Sequence, residues 1–204
     1  MTEKPLQVVV CGLLKAGKST LLNMLTDNVR EELFATGATR TTVKNQTINH
    51  KNYTFVDTPG LDANEEDSKE ALEAIYSSDA LLLVHNLKKG ELDSYEIDLL
   101  NLIKKTNPSI SQKLTIVLTN LESCRDEKEA IEQKVMKKIK EIFVDNKINL
   151  FSISSTSYKK GLEENKKNLE KESGIPMLRE HILNKLSDLE ISLPKIRHER
   201  IARE

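Results

Sequence analysis

Apolar residues along the chain gather into short dense runs, separated by longer segments in which they recur every three or four positions. The dense runs are Leu6–Cys11, Tyr53–Val56, Ala80–His85, Leu114–Thr119 and Asn149–Ile153, with Thr47–His50 placed to pair with the second. Short apolar runs alternating with amphipathic segments predict the strands of a sheet flanked by helices. The periodic segments lie near Lys18–Thr26, Glu66–Tyr76, Asp93–Thr106, Glu127–Val144 and Pro176–Leu189, and predict helices. In the fourth, Ile131, Val135, Ile139 and Ile142 share one helical face; in the fifth, Ile175, Leu178, Ile182, Leu186 and Leu189 do. Both stripes are expected to be core. Strands and helices in alternation predict an α/β fold with a sheet between helical layers.

Between these elements, "HNLKKGEL", "NPSISQ" and "SGIP" carry turn chemistry. The densely charged stretch Ser157 to Gly174, "SYKKGLEENKKNLEKESG", predicts a solvated loop or helix face. No internal repeat is visible, and nothing demands a second domain. We expect one domain over residues 1–192 and a charged C-terminal tail over 193–204.

Composition narrows the function more than the fold. The 204 residues include 31 Lys+Arg against 32 Asp+Glu, so a net charge of −1 draws the protein to neither nucleic acid nor an anionic membrane. Aromatics are only 4% and Trp is absent, which argues against base-stacking platforms. Cys11, inside a strand, and Cys124, in a polar loop, suggest neither a metal site nor a disulfide framework. No apolar run reaches transmembrane length and "MTEKPLQVVV" lacks the form of a signal peptide, so a cytoplasmic location is expected.

The candidate chemistry begins at Gly12-Leu13-Leu14-Lys15-Ala16-Gly17-Lys18-Ser19, which fits G-x-x-x-x-G-K-[ST] between a predicted strand and the predicted helix "STLLNML". The glycines let the backbone curl, consecutive N–H groups form an anion nest, and the helix adds its positive dipole end. Lys18 places an ammonium near the β- and γ-phosphates of a nucleoside triphosphate, and the Ser19 hydroxyl can ligate Mg²⁺. Thr20 follows in the first helical turn. A second motif, "YTFVDTPGLD", delivers Asp57 at the C-terminal edge of a strand, where open α/β sheets bind ligands. A carboxylate there can hold Mg²⁺ through a water, and Gly60 can turn its amide toward a γ-phosphate.

With "AGKSTLLNML" and "VDTPGL" in place, the chain resembles the translation-factor-related P-loop GTPases, and within them the Era-like group and its dynamin-like relatives. The resemblance extends to "SGIPMLREHILNKL", which is similar to the last helix of Era-like proteins. It implies a three-layer P-loop NTPase G domain, a mostly parallel six-stranded sheet with helices on both faces. GTP and GDP are the implied nucleotides, with Mg²⁺. By the resemblance, the segment "ATGATRTTVKN" is the first switch, with Thr39 as the Mg²⁺-ligating threonine and Thr41 and Thr42 as alternatives. The metal set is then Ser19, Thr39 and Asp57.

The base-recognition pattern of the family, [NT]-K-x-D, is replaced by Thr119-Asn120-Leu121-Glu122. Glu122 keeps the paired acceptors that meet guanine N1–H and the exocyclic amine, on a stem one methylene longer. Adenine has no such pair of donors, so a carboxylate here favours guanine. Asn120 lacks the aliphatic stem that normally lies over the base. Ser154 and Ser155, in "FSISSTS", fall where a backbone N–H can meet guanine O6.

Leu61 occupies the position where many small GTPases carry the glutamine that orients the attacking water. Some Era-like members hold a potassium ion with an asparagine at the third variable loop position, and dynamin-like members carry a serine there. Here that position is Lys15. Two readings stand: its ammonium replaces the monovalent cation beside the phosphates, or it is a solvated lysine over the loop. Catalysis would then rest on Lys15, Lys18, Thr39 and Gly60.

The functional expectation is a slow GTP hydrolase acting as a switch. A protein partner or dimer would contact the switch loops, and the resemblance suggests a link to the ribosome or RNA. The alternatives are a nucleotide-binding interaction module with little or no hydrolysis, or a minimal dynamin-like G domain. The last would need stalk helices for which 204 residues leave no room. A P-loop kinase is disfavoured, since no lid-like arginine cluster is evident. Lys195, Arg197, Arg200 and Arg203 in the tail could touch RNA phosphates, but interleaved Glu199 and Glu204 favour a solvated helix end. No RNA-binding domain of the Era sort follows them, which argues against direct ribosomal-RNA binding.

Overall fold

The structure, a computed structural model, describes residues 5–29, 34, 45–60, 65–144 and 148–201. In chain order the elements are β1 (Leu6–Cys11), α1 (Lys18–Leu25), β2 (Gln46–His50), β3 (Tyr53–Asp57), α2 (Glu65–Ser77) and β4 (Ala80–Asn86). A 3₁₀ turn (Leu87–Lys89) leads to α3 (Ser94–Thr106), α4 (Ile110–Lys113) and β5 (Leu114–Thr119). A second 3₁₀ turn (Leu121–Ser123) precedes α5 (Lys128–Ile142), β6 (Asn149–Ser152), α6 (Ser155–Glu163), α7 (Lys167–Glu172) and α8 (Ile175–Ile201).

The six strands form one sheet in the order β2-β3-β1-β4-β5-β6. Only the β2–β3 hairpin is antiparallel. β1 pairs in parallel with β3 on one side and with β4 on the other. The chain therefore winds outward from β1 in both directions, and a crevice opens at that reversal, outside the carboxyl ends of the strands.

Both faces of the sheet are covered, which is why the central strands read as unbroken apolar runs. Val8, Val9, Val10 and Cys11 are all 0% exposed, and their side chains alternate between two cores. Val9 and Cys11 join Leu81, Leu83, Ile116, Leu100, Ile103, Val135 and Ile139 under α3 and α5. Val8 and Val10 join Leu21, Met24, Leu82, Val84, Leu178 and Ile182 under α1 and α8. Burial pushes the Cys11 thiol up to about 12, so it behaves as an apolar filler. By contrast β2, at the edge, alternates half-buried and exposed residues, as a strand with one face in water does.

The helical stripes pack largely as expected: Ile131, Val135, Ile139 and Ile142 are buried on α5, and Ile175, Leu178, Ile182 and Leu186 on α8, while Leu189, near the end of its stripe, is only half-buried. The charged stretch after Ser154 folds into α6 and α7, mostly exposed, in line with a solvated helix face, with only a few of its residues, Tyr158 and Gly161 among them, buried. One local reading differs. "NPSISQ" contains the single-turn α4, with Ile110 fully buried. One buried side chain per turn leaves too weak a period to separate a short helix from a loop.

Arg179 fastens the start of α8 to the end of α1. Its guanidinium donates to Met24 O at 2.5 Å and pairs with Asp27 at 2.8 Å. It also donates to the Tyr158 hydroxyl at 3.2 Å. Among the described residues, no helix is long and apolar enough to cross a membrane.

Candidate functional site

The loop between β1 and α1 is held in an inward curl by two glycines. Gly12 has φ 150°, and a Cβ on it would sit 2.2 Å from Val84 O, so nothing larger fits against β4. Gly17, at φ 98°, turns the chain into α1. Between them Ala16 N donates to Leu13 O at 3.2 Å, closing a turn in which Lys15 takes a left-handed φ of 61°. Leu13 and Ala16 are buried, while Leu14 and Lys15 face outward. A left-handed non-glycine residue costs on the order of 1–2 kcal/mol, which the surrounding turn must sustain.

Lys18 is only 7% exposed, and its ammonium donates to Gly12 O and Leu13 O at 3.0 Å each. Those contacts aim the charge along the mouth of the curl. Ser19 and Thr20 follow in the first turn of α1, both half-buried. The Ser19 hydroxyl donates to Asp57 Oδ2 at 2.6 Å, across 38 residues of sequence. Asp57 ends β3 and is 0% exposed. A hydroxyl and a carboxylate in contact at a strand end make the hard-oxygen donor set that suits Mg²⁺. Thr58 anchors the loop that follows, with its N–H and its hydroxyl both donating to Val10 O, at 3.2 and 3.0 Å. Gly60 lies buried at the end of this anchored segment. Thr39, its neighbours Thr41 and Thr42, and Leu61 lie outside the described residues.

Thr119 joins the two ends of the site. It terminates β5, and its hydroxyl donates to Ala16 O at 2.7 Å, across 103 residues. Asn120 then adopts a left-handed conformation (φ 61°, ψ 35°) and leads into the 3₁₀ turn that carries Glu122. Leu121 N donates to Ile153 O at 3.1 Å, which pins this turn against the end of β6. Glu122 Oε1 accepts from the Thr156 hydroxyl at 3.2 Å. Its other oxygen, Oε2, is buried without a hydrogen-bond partner among the described residues.

The structure gives Ser154 and Ser155 different positions. Ser154 is 1% exposed; its N–H donates to Ser173 O at 2.9 Å and its hydroxyl accepts from Ser157 N at 3.0 Å, capping α6. Ser155 is the first residue of α6, so its N–H belongs to the turn whose donors have no intrahelical acceptor. All the described candidates, from Gly12 to Thr20, Asp57, Gly60, Thr119 to Glu122, Ser154 and Ser155, thus sit on the connections leaving the carboxyl ends of β1, β3, β5 and β6.

Four further residues, Asn23, His85, Glu96 and Thr156, were not among the candidates. Asn23, 1% exposed, clamps Phe34 by accepting from its N–H at 2.9 Å and donating to its carbonyl at 2.8 Å. His85 and Glu96 form a fully buried pair, with Nδ1 2.9 Å from Oε2. The other ring nitrogen of His85 donates to Gly90 O at 3.1 Å, and Glu96 closes a capping box by accepting from Asp93 N at 2.8 Å. The D-x-x-E spacing could have announced that box, but nothing local announces the histidine. Thr156 is the fourth, and a serine-rich helix start gives it no distinguishing mark.

Comparisons with known proteins agree with this geometry. The family model described as "50S ribosome-binding GTPase" matches residues 7–121. An uncharacterized protein of Acinetobacter baylyi is 29% identical over 177 residues, covering 84% of this chain and 40% of that protein. The tRNA modification GTPase MnmE of the same organism is 37% identical over 97 residues, covering 44% of this chain and 21% of MnmE. The chain thus spans less than half the length of either relative. Among solved structures, Toc33 from Arabidopsis thaliana with Mg²⁺ and GMPPNP superposes with a TM-score of 0.67 at 20% identity, over 90% of this chain and 85% of that one. The FeoB G-domain from Methanococcus jannaschii gives 0.53 at 18% identity, over 91% and 99%. At such identities the likeness is one of fold. The family match covers more than half of the chain and both phosphate-end motifs, and the chain belongs to the 50S ribosome-binding GTPase family of P-loop proteins.

Proposed function

We propose that the chain binds GTP and GDP with Mg²⁺ and hydrolyses GTP slowly, as a nucleotide-dependent switch. The observation that carries this reading is the contact of Ser19 with Asp57 beside the curled loop that holds Lys18. The loop amides from Leu13 to Thr20 surround the phosphates, and Lys18 moves its ammonium from loop carbonyls to phosphate oxygens. Ser19 and Asp57 hold Mg²⁺, joined by Thr39. When bound, the ion offsets charge on the β- and γ-phosphate oxygens. Gly60 meets the γ-phosphate, so the loops carrying it and Thr39 respond to its loss.

At the base, Glu122 accepts from guanine N1–H and the exocyclic amine, Asn120 packs along the ring, and Thr119 keeps the base loop against the phosphate loop. Ser155 N–H serves O6; Ser154 supports it as the cap of α6. Residues 1–192 form the G domain, and 193–204 carry the charge of the tail. Two free cysteines fit a reducing, cytoplasmic setting. A protein partner or second copy would read the switch loops, and the family's ribosome association makes the ribosome a candidate partner.

Leu61 cannot orient a water, so intrinsic turnover is expected on the order of 10⁻⁴ to 10⁻² per second. Lys15, outward on its left-handed turn, is our candidate for the charge that potassium supplies elsewhere. The test measures binding of labelled GTP, GDP and ATP, then phosphate release with and without potassium, for the parent and Lys15→Ala. We expect guanine-selective binding, potassium-independent release, and release slowed at least tenfold in the variant with its GDP affinity kept, about 1.4 kcal/mol of barrier. Equal ATP affinity would remove the guanine assignment. Binding without release would leave an interaction module, and an unslowed variant would reduce Lys15 to a surface lysine.

A further inference from the structure

We propose that Lys185 is an acylation site, an amine that α8 holds against the start of β5 and that takes an acyl group from an acyl phosphate. The proposal stands apart from the nucleotide reading and concerns the opposite end of the sheet.

α8 lays two side chains one turn apart, His181 and Lys185, along the first two residues of β5. Lys185 Nζ donates to Leu114 O at 3.3 Å, and His181 Nε2 lies 3.1 Å from the Thr115 hydroxyl oxygen. Leu114 and Thr115 are 0% and 1% exposed, so the amine rests on buried protein. Phe151 on β6 packs on the His181 ring, with centroids 4.9 Å apart. Lys113, the residue before Leu114, turns its own ammonium to Ser78 O at 2.7 Å. Among the described residues, no carboxylate forms an ion pair with Lys185 or Lys113.

An ammonium taken out of water is normally met by a carboxylate, and this one has a neutral carbonyl instead. Burial accordingly lowers it from its ordinary 10.5 to about 8. Burial, and then Lys185, hold His181 below its usual 6.5, so that ring is neutral above pH 7. Lys185 is half-buried, not enclosed, which leaves a small reagent a way in. A desolvated lysine of this kind is a nucleophile.

The neutral amine attacks the acyl carbon of the acyl phosphate with its lone pair. A C–N bond forms, the C–O bond to phosphate breaks, inorganic phosphate leaves with that electron pair, and the surplus proton passes to solvent. The product amide keeps one N–H for Leu114 O and carries no charge for burial to oppose. At pH 8 about half of the Lys185 amines are neutral, against roughly 0.4% of ordinary lysines. Lower basicity takes back about tenfold, on the scale known for thiolates. A lead of about tenfold remains.

The experiment incubates the full chain with acetyl phosphate at pH 8 and follows each lysine by peptide mass spectrometry. We expect Lys185 to acetylate about tenfold faster than the exposed Lys88, Lys89 and Lys137. In the chain unfolded by guanidinium chloride, where burial is gone, that lead disappears. Lys185→Arg, which stays protonated, removes the fast phase of intact-mass gain and leaves the slow one. If Lys185 only matches or lags the exposed lysines in the folded chain, the proposal fails. A lead that survives unfolding also overturns it, by assigning the rate to local sequence. So does a fast phase kept in Lys185→Arg, because another lysine then carries the reaction.

Discussion

The proposed phosphate end and the proposed base end of the site are built differently. At the proposed phosphate end one contiguous loop, Gly12 to Ser19, supplies mainly backbone atoms placed by two glycines, and Asp57 and Gly60 join it from the end of β3. The proposed base end draws instead on separate connections, with the Glu122 side chain from the turn after β5 and the start of α6 after β6. A contiguous backbone cradle tolerates little substitution, because Val84 O stands 2.2 Å from where a Cβ on Gly12 would be. A side chain on a separate connection can be rebuilt with different partners. That difference is in keeping with a complete loop motif beside a departure from the [NT]-K-x-D pattern at Thr119-Asn120-Leu121-Glu122.

The sharpest way to break this comparison is Lys18→Ala. It removes a charge-assisted contact to every nucleotide irrespective of base, so GDP and inosine diphosphate, which lacks the 2-amine, should both weaken by on the order of 10–100-fold in calorimetry. A base-dependent loss would mean that the two ends are not separable. Glu122→Gln comes next: guanine affinity should fall by about tenfold, since an amide offers one acceptor where the carboxylate offered two. Inosine diphosphate should lose less, and a uniform loss would place Glu122 in the scaffold instead of at the base.

The smallest expected effect lies at the amino end of β5, away from both ends of the site. Burial lowers the Lys185 ammonium from its ordinary 10.5 to about 8, and its Nζ donates to Leu114 O at 3.3 Å. The folded state releases this proton before the unfolded state does, so between about pH 8 and 10.5 the unfolded chain binds more protons and stability rises with pH. Lys185→Met should flatten that rise in denaturant melts while leaving nucleotide affinity at pH 7 unchanged. A rise of equal slope in the variant would assign it to another group.

Much of this molecule was legible before its structure. β1 and β5 have the expected ends, Leu6–Cys11 and Leu114–Thr119, because buried parallel strands have no polar face to blur their limits. α4 was not legible, since a single turn has no period to detect, and the charged stretch that forms α6 and α7 left a solvated loop and a solvated helix face equally open. Within the site, Lys18, Ser19 and Asp57 could be named because their spacing and strand context are local. The different duties of Ser154 and Ser155 could not, because the bond from Ser154 N to Ser173 O depends on where α7 ends.

By itself, then, the sequence determined the strands and major helices and the glycine-bounded loop after β1, since each of these follows from short-range periodicity or contiguous backbone chemistry. Only the tertiary structure decided that Thr119 clasps Ala16, that Asp57 receives the Ser19 hydroxyl, and that Thr156 meets Glu122. Those contacts join segments 103, 38 and 34 residues apart, and hydrogen bonds formed on sheet assembly leave no periodic trace in either partner's neighbourhood.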